Sequence, residues 1–212
     1  MRVLVAGANG ATGSQVVKLL KGSNHEPVAM VRRDEQQAKF VSDGVATRMG
    51  DLERREDFSE MVADVDAVVF AAGSGSKTGK DKTIVVDELG AVRLIDAAEA
   101  AGVKRFVMLS SINADPWSEG HPISHYYRAK GIADLHLENS DLQHTIVKPG
   151  KLTDEPAKGT IEAAPTLNRP GEIPRADVAA VLVGTLEMDN TIGKSFEILS
   201  GATPIPEALA SL

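Results

Sequence analysis

No cysteine occurs among the 212 residues, which excludes disulfides, thiolate-held zinc and cysteine nucleophiles. Aromatic residues are scarce at 4%, so Val, Ile, Leu and Ala must pack the interior, as suits a parallel sheet covered on both faces. A basic excess is missing as well. Lys and Arg number 23 against 30 Asp and Glu, a formal charge of −7, and this argues against a nucleic-acid partner. An anionic small ligand stays compatible, because a few local cations and backbone amides suffice to hold one. No apolar run approaches the roughly 20 residues of a membrane span, and the N-terminus enters a strand pattern directly, without a signal-peptide layout. No membrane partner is expected, and the expected location is cytoplasmic. The length suits one domain with a full core, expected to span 1–212, with 150–175 and 188–212 contributing a small substrate-side region.

What the chain does have is glycine, concentrated where it carries information. Val3 to Ala6 form a short apolar run that reads as a strand buried on both faces. Gly7, Gly10 and Gly13 follow in G-x-x-G-x-x-G spacing, with Asn9, Ala11 and Thr12 between them, and the chain then turns helical from Ser14 to Leu20. Such a turn lets the backbone approach a pyrophosphate, whose charge rests on free amides at the positive helix end. Mere connection would not require three turn glycines, each of which costs backbone entropy.

The alternation of strand and helix continues along the chain. Glu26 to Val31 is a second strand ending at Arg32, Arg33 and Asp34. About 20 residues beyond a glycine turn the chain meets the adenine ribose, where an acid accepts from a free 2′-hydroxyl and an arginine suits a 2′-phosphate. Arg32 and Arg33 therefore point to NADP, with NAD the other option, and Asp34 reads as the N-cap of a helix over Glu35 to Val41. Val45 to Met49 is a weak third strand. Asp51 and Leu52 follow it, Asp51 suited equally to adenine contact and to capping a helix from Arg55 to Ala63. Asp66 to Phe70 is a fourth strand closing on Ala71, Ala72 and Gly73, small residues past which ribose and phosphates can run close to the backbone. The segment Ser74 to Lys80 imitates a nucleotide-triphosphate loop but has Ser74 where the first glycine belongs and Asp81 where a hydroxyl residue belongs. It reads as a loop over the cofactor. A helix over Lys82 to Ala101 shows Ile84, Leu89, Val92, Leu94, Ile95 and Ala98 as its apolar face. Later strands are expected at Arg105 to Leu109, Thr145 to Lys148, Thr160 to Ala163 and Ser195 to Leu199. Helices are expected at His125 to Glu138, Ala176 to Leu186 and Ile205 to Leu212, and 150–174 reads as irregular.

The fifth strand delivers Ser110 and Ser111 at its carboxyl end, where open parallel sheets place their ligands. Tyr126 and Lys130 stand four apart on a helix and share a face. An ammonium beside a phenol favours the phenolate and is expected to draw the tyrosine below its ordinary value of about 10, which suits proton transfer at a carbonyl or carbinol oxygen. Ser111 is the candidate to polarise that oxygen, with Ser110 in reserve. Trp117, His121, His125 and Tyr127 fall in or just after the loop expected to cover the nicotinamide. No histidine or carboxylate set has metal-ligand spacing, so no metal is expected.

With these residues assembled, the chain resembles the short-chain dehydrogenase/reductase superfamily. It looks most like the atypical NAD(P)-binding branch that includes epimerase/dehydratase-like and NmrA-like proteins. The resemblance rests on Gly7 to Gly13, Arg32 and Arg33, Asp51 and Leu52, Ala71 to Gly73, Ser110 and Ser111, Tyr126 to Lys130, and Lys148 to Gly150. It implies that the glycines bind pyrophosphate, that Asp51 and Leu52 contact adenine, that Tyr126 transfers a proton, and that Lys130 also holds the nicotinamide ribose. Pro149 and Gly150 are then a backbone wall beside the nicotinamide. Two departures from the family pattern stand out: the substrate-binding insertions of full-length sugar epimerases are absent, and Lys148 replaces a common arginine.

The expected architecture is a Rossmann-type, doubly wound parallel α/β sheet with helices on both faces and a small C-terminal appendage. The expected function is an NADP-dependent oxidoreductase moving hydride to or from a small carbonyl or hydroxyl substrate, as monomer or homodimer. The alternatives are an NmrA-like redox-sensing regulator without turnover and a sugar-nucleotide epimerase or dehydratase.

Overall fold

The computed structural model describes residues 1–54, 57–75 and 78–212. In chain order its strands are β1 (Arg2–Ala6), β2 (Glu26–Val31), β3 (Ala46–Met49), β4 (Ala67–Phe70), β5 (Arg105–Leu109), β6 (Gln143–Pro149), β7 (Lys151–Thr153), β8 (Thr160–Ala164), β9 (Glu172–Pro174), β10 (Lys194–Ser200) and β11 (Thr203–Pro204). Among the described residues, one sheet takes nine of them in the order β11-β8-β10-β6-β5-β4-β1-β2-β3. From β3 to β10 every neighbouring pair is parallel, while β8 runs antiparallel to β10 and β11. The order 3-2-1-4-5-6 is that of a dinucleotide-binding sheet, with its switch point between β1 and β4.

The helices are α1 (Gly13–Lys21), α2 (Asp34–Ser42), α3 (Ser59–Val62), α4 (Lys80–Thr83), α5 (Ala91–Ala100), α6 (Ser124–Glu138), α7 (Arg175–Gly184) and α8 (Ile205–Ala210). Because strand side chains alternate, Val3 and Val5 enter one core with residues of α1, α2, α7 and α8. Leu4 and Ala6 enter the other, with residues of α3, α5 and α6. Burial on both faces explains why these strands read as continuous apolar runs. One buried polar tie crosses the layers: Arg105 donates to Gln143 O at 2.7 Å and to Thr185 O at 2.8 Å. Burial pushes its guanidinium down to about 10.

Several sequence expectations change. Asp34 is the first residue of α2 and does not cap it. Arg33 occupies the cap position, without a side-chain cap bond. The expected helix from Arg55 to Ala63 is confined to Ser59–Val62, Arg55 lying outside the described residues, and its first turn is served by Asp57, whose Oδ1 accepts from Ser59 N at 2.9 Å. Asp51 is therefore no helix cap. Between α4 and α5 the helix winds as a π-helix over Ile84–Gly90, whose i to i+5 bonding changes the facial register. Leu94, Ile95 and Ala98 are buried as expected, but Ile84 (44%) and Leu89 (38%) face out and Val86 and Asp87 turn in. The segment expected to be irregular contains β7 and β9, a two-stranded parallel pair joined by Leu152↔Ile173.

Two glycines of the first turn are required by close approach. A Cβ on Gly13 would stand 2.2 Å from Gly7 O, and one on Gly7, whose φ is +82°, would stand 2.6 Å from the backbone of Ala72. Gly13→Ala should destabilise the fold by about 1–3 kcal/mol through overpacking. Gly22→Ala, where the nearest atom would be an ordinary 3.5 Å away, is the matched control. Urea unfolding of the two variants checks this; equal midpoints would show that the turn opens freely.

Candidate functional site

The parallel register aligns the carboxyl ends of the central strands. Ala6 pairs with Phe70, Phe70 with Met108, and Leu109 with Val147. The residues that follow, Gly7, Ala71 to Gly73 and Ser110, therefore share one edge of the sheet and line a single cleft of about 1120 Å³. That volume is slightly above the roughly 300–1,000 Å³ common for small-molecule sites.

At the centre of the cleft Gly10 N donates to Gly7 O at 2.8 Å and Ser14 N to Gly10 O at 2.9 Å, closing the turn into α1. A Cβ on Gly10 would meet only Gly7 O, at 3.1 Å, so this position keeps the backbone open towards the cleft. Asn9, Ala11 and Thr12 line it too. Thr12, at the cap position of α1, makes no side-chain cap bond, so among the described residues the positive end of a nine-residue helix is available to an anion. Gly13 serves packing and lies outside the lining.

One end of the cleft is formed by Met30, Val31, Arg32, Gln36, Gly50, Asp51, Leu52 and Glu53. The Arg32 amide donates to Gln36 Oε1 at 3.1 Å, and its Nη1 donates to Glu53 Oε1 at 2.6 Å. Lys82 binds the other oxygen of Glu53. These two cations, Lys82 first and then Arg32, hold the Glu53 carboxyl below its ordinary range. Asp51 Oδ1 accepts from Glu53 N at 3.0 Å and lies 4.0 Å from Arg32 Nη1. Arg33 is exposed and does not line the cleft.

Ile123, His125, Tyr126, Lys130, Leu152 and Arg175 also line the cleft. Tyr126, Lys130 and Asp134 form an i, i+4, i+8 stripe along α6. Lys130 is buried, its Nζ 3.3 Å from Asp87 Oδ1 and donating to Leu109 O at 3.2 Å and Ala72 O at 3.4 Å. Burial works to discharge Lys130, but Asp87, Tyr126 and Asp134 outweigh it, so its pKa is raised. Asp87, turned inward by the π-wound segment, is fully buried and accepts from Ser74 N at 2.9 Å through Oδ2. Its Oδ1 has the ion pair with Lys130 but no well-aligned hydrogen bond.

The expected lowering of the Tyr126 phenol is overturned. Burial pushes it above the ordinary phenol value; Lys130 and, more weakly, Ser111 pull the other way, and Asp87 and Asp134 add to the rise. Spacing shows the ammonium four residues on and Asp134 four beyond it, but not Asp87, which the fold brings in from another element. Burial also raises Asp134 against the pull of Lys148, Ser110 and Lys130. Ser110 Oγ donates to Asp134 Oδ2 at 2.6 Å, and Lys148 Nζ lies 3.4 Å from the same oxygen.

Of the remaining expected positions, Ser111 lies outside the lining, and its hydroxyl donates to Ile112 O at 3.0 Å. Pro149 and Gly150 lie behind the lining: Pro149 O accepts from Ile112 N at 3.0 Å and Gly150 N donates to Ile198 O at 3.1 Å. His125 reaches the cleft, whereas Trp117 is 79% exposed and the His121 ring packs at a tilt against Tyr127, centroids 5.2 Å apart. In the loop after β4, Ser74, Gly75, Thr78, Gly79 and Lys80 line the cleft, and Lys77 lies outside the described residues. Sequence reasoning missed Glu53, Lys82, Asp87, Asp134 and Arg175. Two signals were legible: an aspartate four residues after Lys130, and an acid inside an apolar helical pattern.

A glycine turn at the switch point of a 3-2-1-4-5-6 sheet, opening on a cleft this long, defines a dinucleotide-binding Rossmann protein. A family model described as NAD(P)H-binding matches residues 7–189, and the chain belongs to that family, within the atypical branch of the short-chain dehydrogenase/reductases. It is 42% identical over its whole length to YhfK of Bacillus subtilis (strain 168), described as an uncharacterized sugar epimerase and likewise covered in full. Among solved structures it is similar to a Bacillus halodurans protein provisionally described as an NAD-dependent epimerase/dehydratase, at 45% identity and a TM-score of 0.94 with both chains fully covered. It is also similar to the oxidoreductase ylbE of Lactococcus lactis, at 33% identity and a TM-score of 0.88, covering 100% of this chain and 96% of that one.

The sequence contains two tyrosines, so Tyr127→Phe leaves Tyr126 as the sole phenol. Ultraviolet titration of this variant should place Tyr126 ionisation above the ordinary value of about 10. A midpoint at or below that value would mean that Lys130 prevails over burial and the two aspartates.

Proposed function

We propose that the protein is an NADP-dependent reductase of small carbonyl substrates, with Tyr126 as proton donor. The observation that carries this reading is that Tyr126 and Lys130 share one cleft with the glycine turn, while burial and Asp87 favour the protonated phenol. A phenol that keeps its proton at neutral pH is suited to give it to an oxygen gaining negative charge.

When bound, the reduced nicotinamide supplies the hydride that reaches the carbonyl carbon. Tyr126 transfers its proton to the carbonyl oxygen, so the product is the alcohol. Lys130, kept charged by Asp87, stabilises the phenolate left behind. Ser111 is close enough to the phenol to orient the substrate oxygen by turning its hydroxyl from Ile112 O, and Ser110 and Lys148 balance the Asp134 carboxylate beneath the site. Gly7, Asn9, Gly10, Ala11 and Thr12 receive the pyrophosphate at the start of α1, while Ala71, Ala72 and Gly73 let the ribose pass. Met30, Gly50, Asp51 and Leu52 form the adenine end. Arg32, with Lys82 beside it, is the group suited to a 2′-phosphate. The relatives described as epimerases raise a second reading, in which the same tyrosine starts as a phenolate base. Its raised pKa weighs against that order of events.

Tyr126→Phe should lower kcat for carbonyl reduction by about 10²–10⁴-fold, as loss of a general acid does, and leave the NADPH dissociation constant within about twofold by calorimetry. Turnover equal to that of the unaltered protein across a panel of aldehydes and ketones would remove the assignment. Arg32→Ala should weaken NADPH by about tenfold, the scale of one charge-assisted contact, whereas Arg33→Ala should change it little. Equal losses would place the 2′-phosphate elsewhere.

A further inference from the structure

Glu53 stands where an NADP-binding cleft should be cationic. Its two carboxylate oxygens are divided between two cations: Oε1 accepts from Arg32 Nη1 at 2.6 Å and Oε2 binds Lys82 Nζ. All three residues line the cleft, beside Asp51 and Leu52. A single anion bridging two cations through separate oxygens is the arrangement two oxygens of a phosphate monoester would adopt in the same place.

We propose that Glu53 is an internal counter-anion that holds the Arg32–Lys82 clamp until the 2′-phosphate of NADP(H) displaces it. It would thereby set how strongly the protein prefers phosphorylated over unphosphorylated dinucleotides. This deepens the NADP reading above and rests on it.

The displacement follows from charge. A phosphate monoester carries about −1.5 to −2 at neutral pH, and Glu53 is held ionised by the same two cations. Both anions at hydrogen-bond distance from Arg32 and Lys82 would repel each other at a separation where like charges interact strongly. The neighbouring charges do not replace the clamp: Asp51 lies 4.0 Å from Arg32 Nη1 and 3.9 Å from Arg54 Nε, and Asp81 supports the charge of Lys82. The exchange needs little rearrangement. The Glu53 amide is anchored to Asp51 Oδ1 at 3.0 Å, and its side chain is one quarter exposed, so the side chain can swing out while the backbone stays. A cofactor without the 2′-phosphate brings no competing anion to Arg32 and Lys82 and leaves the Glu53 bridge closed.

The test is calorimetric binding of NADPH, NADH, adenosine 2′,5′-bisphosphate and AMP to the unaltered protein and to Glu53→Gln at fixed ionic strength, with thermal unfolding to show that the variant is folded. Glu53→Gln should tighten NADPH and the bisphosphate by about five- to tenfold, the scale of freeing one charge-assisted contact, and leave NADH and AMP within about twofold. In a Lys82→Ala background the gain should shrink. Equal changes for both cofactor classes, or a loss confined to NADH and AMP, would overturn the proposal; the second result would make Glu53 an acceptor for the ribose hydroxyl. An unaltered protein that binds NADPH no better than NADH refutes the NADP reading. In that case a preference appearing only in Glu53→Gln still supports the counter-anion, and no preference in either refutes both.

Discussion

The contact on which the site depends is between two backbones. Gly7, at φ +82°, lies so near the end of β4 that a single Cβ would collide with Ala72. Gly13 brings the first turn of α1 equally close to Gly7 O. These approaches draw the positive end of α1 and the small-residue end of β4 to the switch point of the sheet, where the chains leaving β1 and β4 diverge. Without them Ala71 to Gly73 would stand off from Asn9 to Thr12. The strand order supplies the opening, and glycine geometry sets how closely its two walls approach.

Four cations in or beside the cleft already have partners. Lys130 is matched by buried Asp87, Lys148 by Asp134, and Arg32 and Lys82 by Glu53. Buried ions require such partners, since an uncompensated ammonium or carboxylate in the interior costs several kcal/mol, on the order of 3–5. The chemical result is that Lys130 does not act on Tyr126 as an isolated positive charge. Its pull toward the phenolate is offset by burial and by Asp87, so the phenol pKa is raised and not lowered. The π-wound stretch Ile84–Gly90 is the local device behind this, because it turns Asp87 inward while Ile84 and Leu89 remain outside.

Sequence and structure agree best where periodicity is strong. The central strands β1, β4 and β5 read as apolar runs because both faces are covered, and the ends of the parallel strands fall within a residue or two of the expected positions. Agreement fails where pairing is tertiary. Strands β7 and β9 have three residues each, too few to show alternation, and exist because they pair across an intervening segment. The helix face over Ile84 to Val92 was misplaced because α spacing does not carry through a π-wound turn. Asp34 missed the cap position by one residue, within the ordinary uncertainty of helix ends.

The sequence by itself determined the fold class, the glycine turn, the placement of Tyr126 and Lys130 on one helical face, and the nucleotide as the ligand, since these depend on local spacing and on residues near one another in the chain. Only the tertiary structure decided which charges meet. Asp87 reaches Lys130 from 43 positions away, and Glu53 and Lys82 are 29 apart. Electrostatic energy depends on distance and burial in three dimensions, neither of which is written in the order of residues, so the upward shift of the phenol and the pairing of Arg32 and Lys82 with Glu53 could be read only from the folded chain.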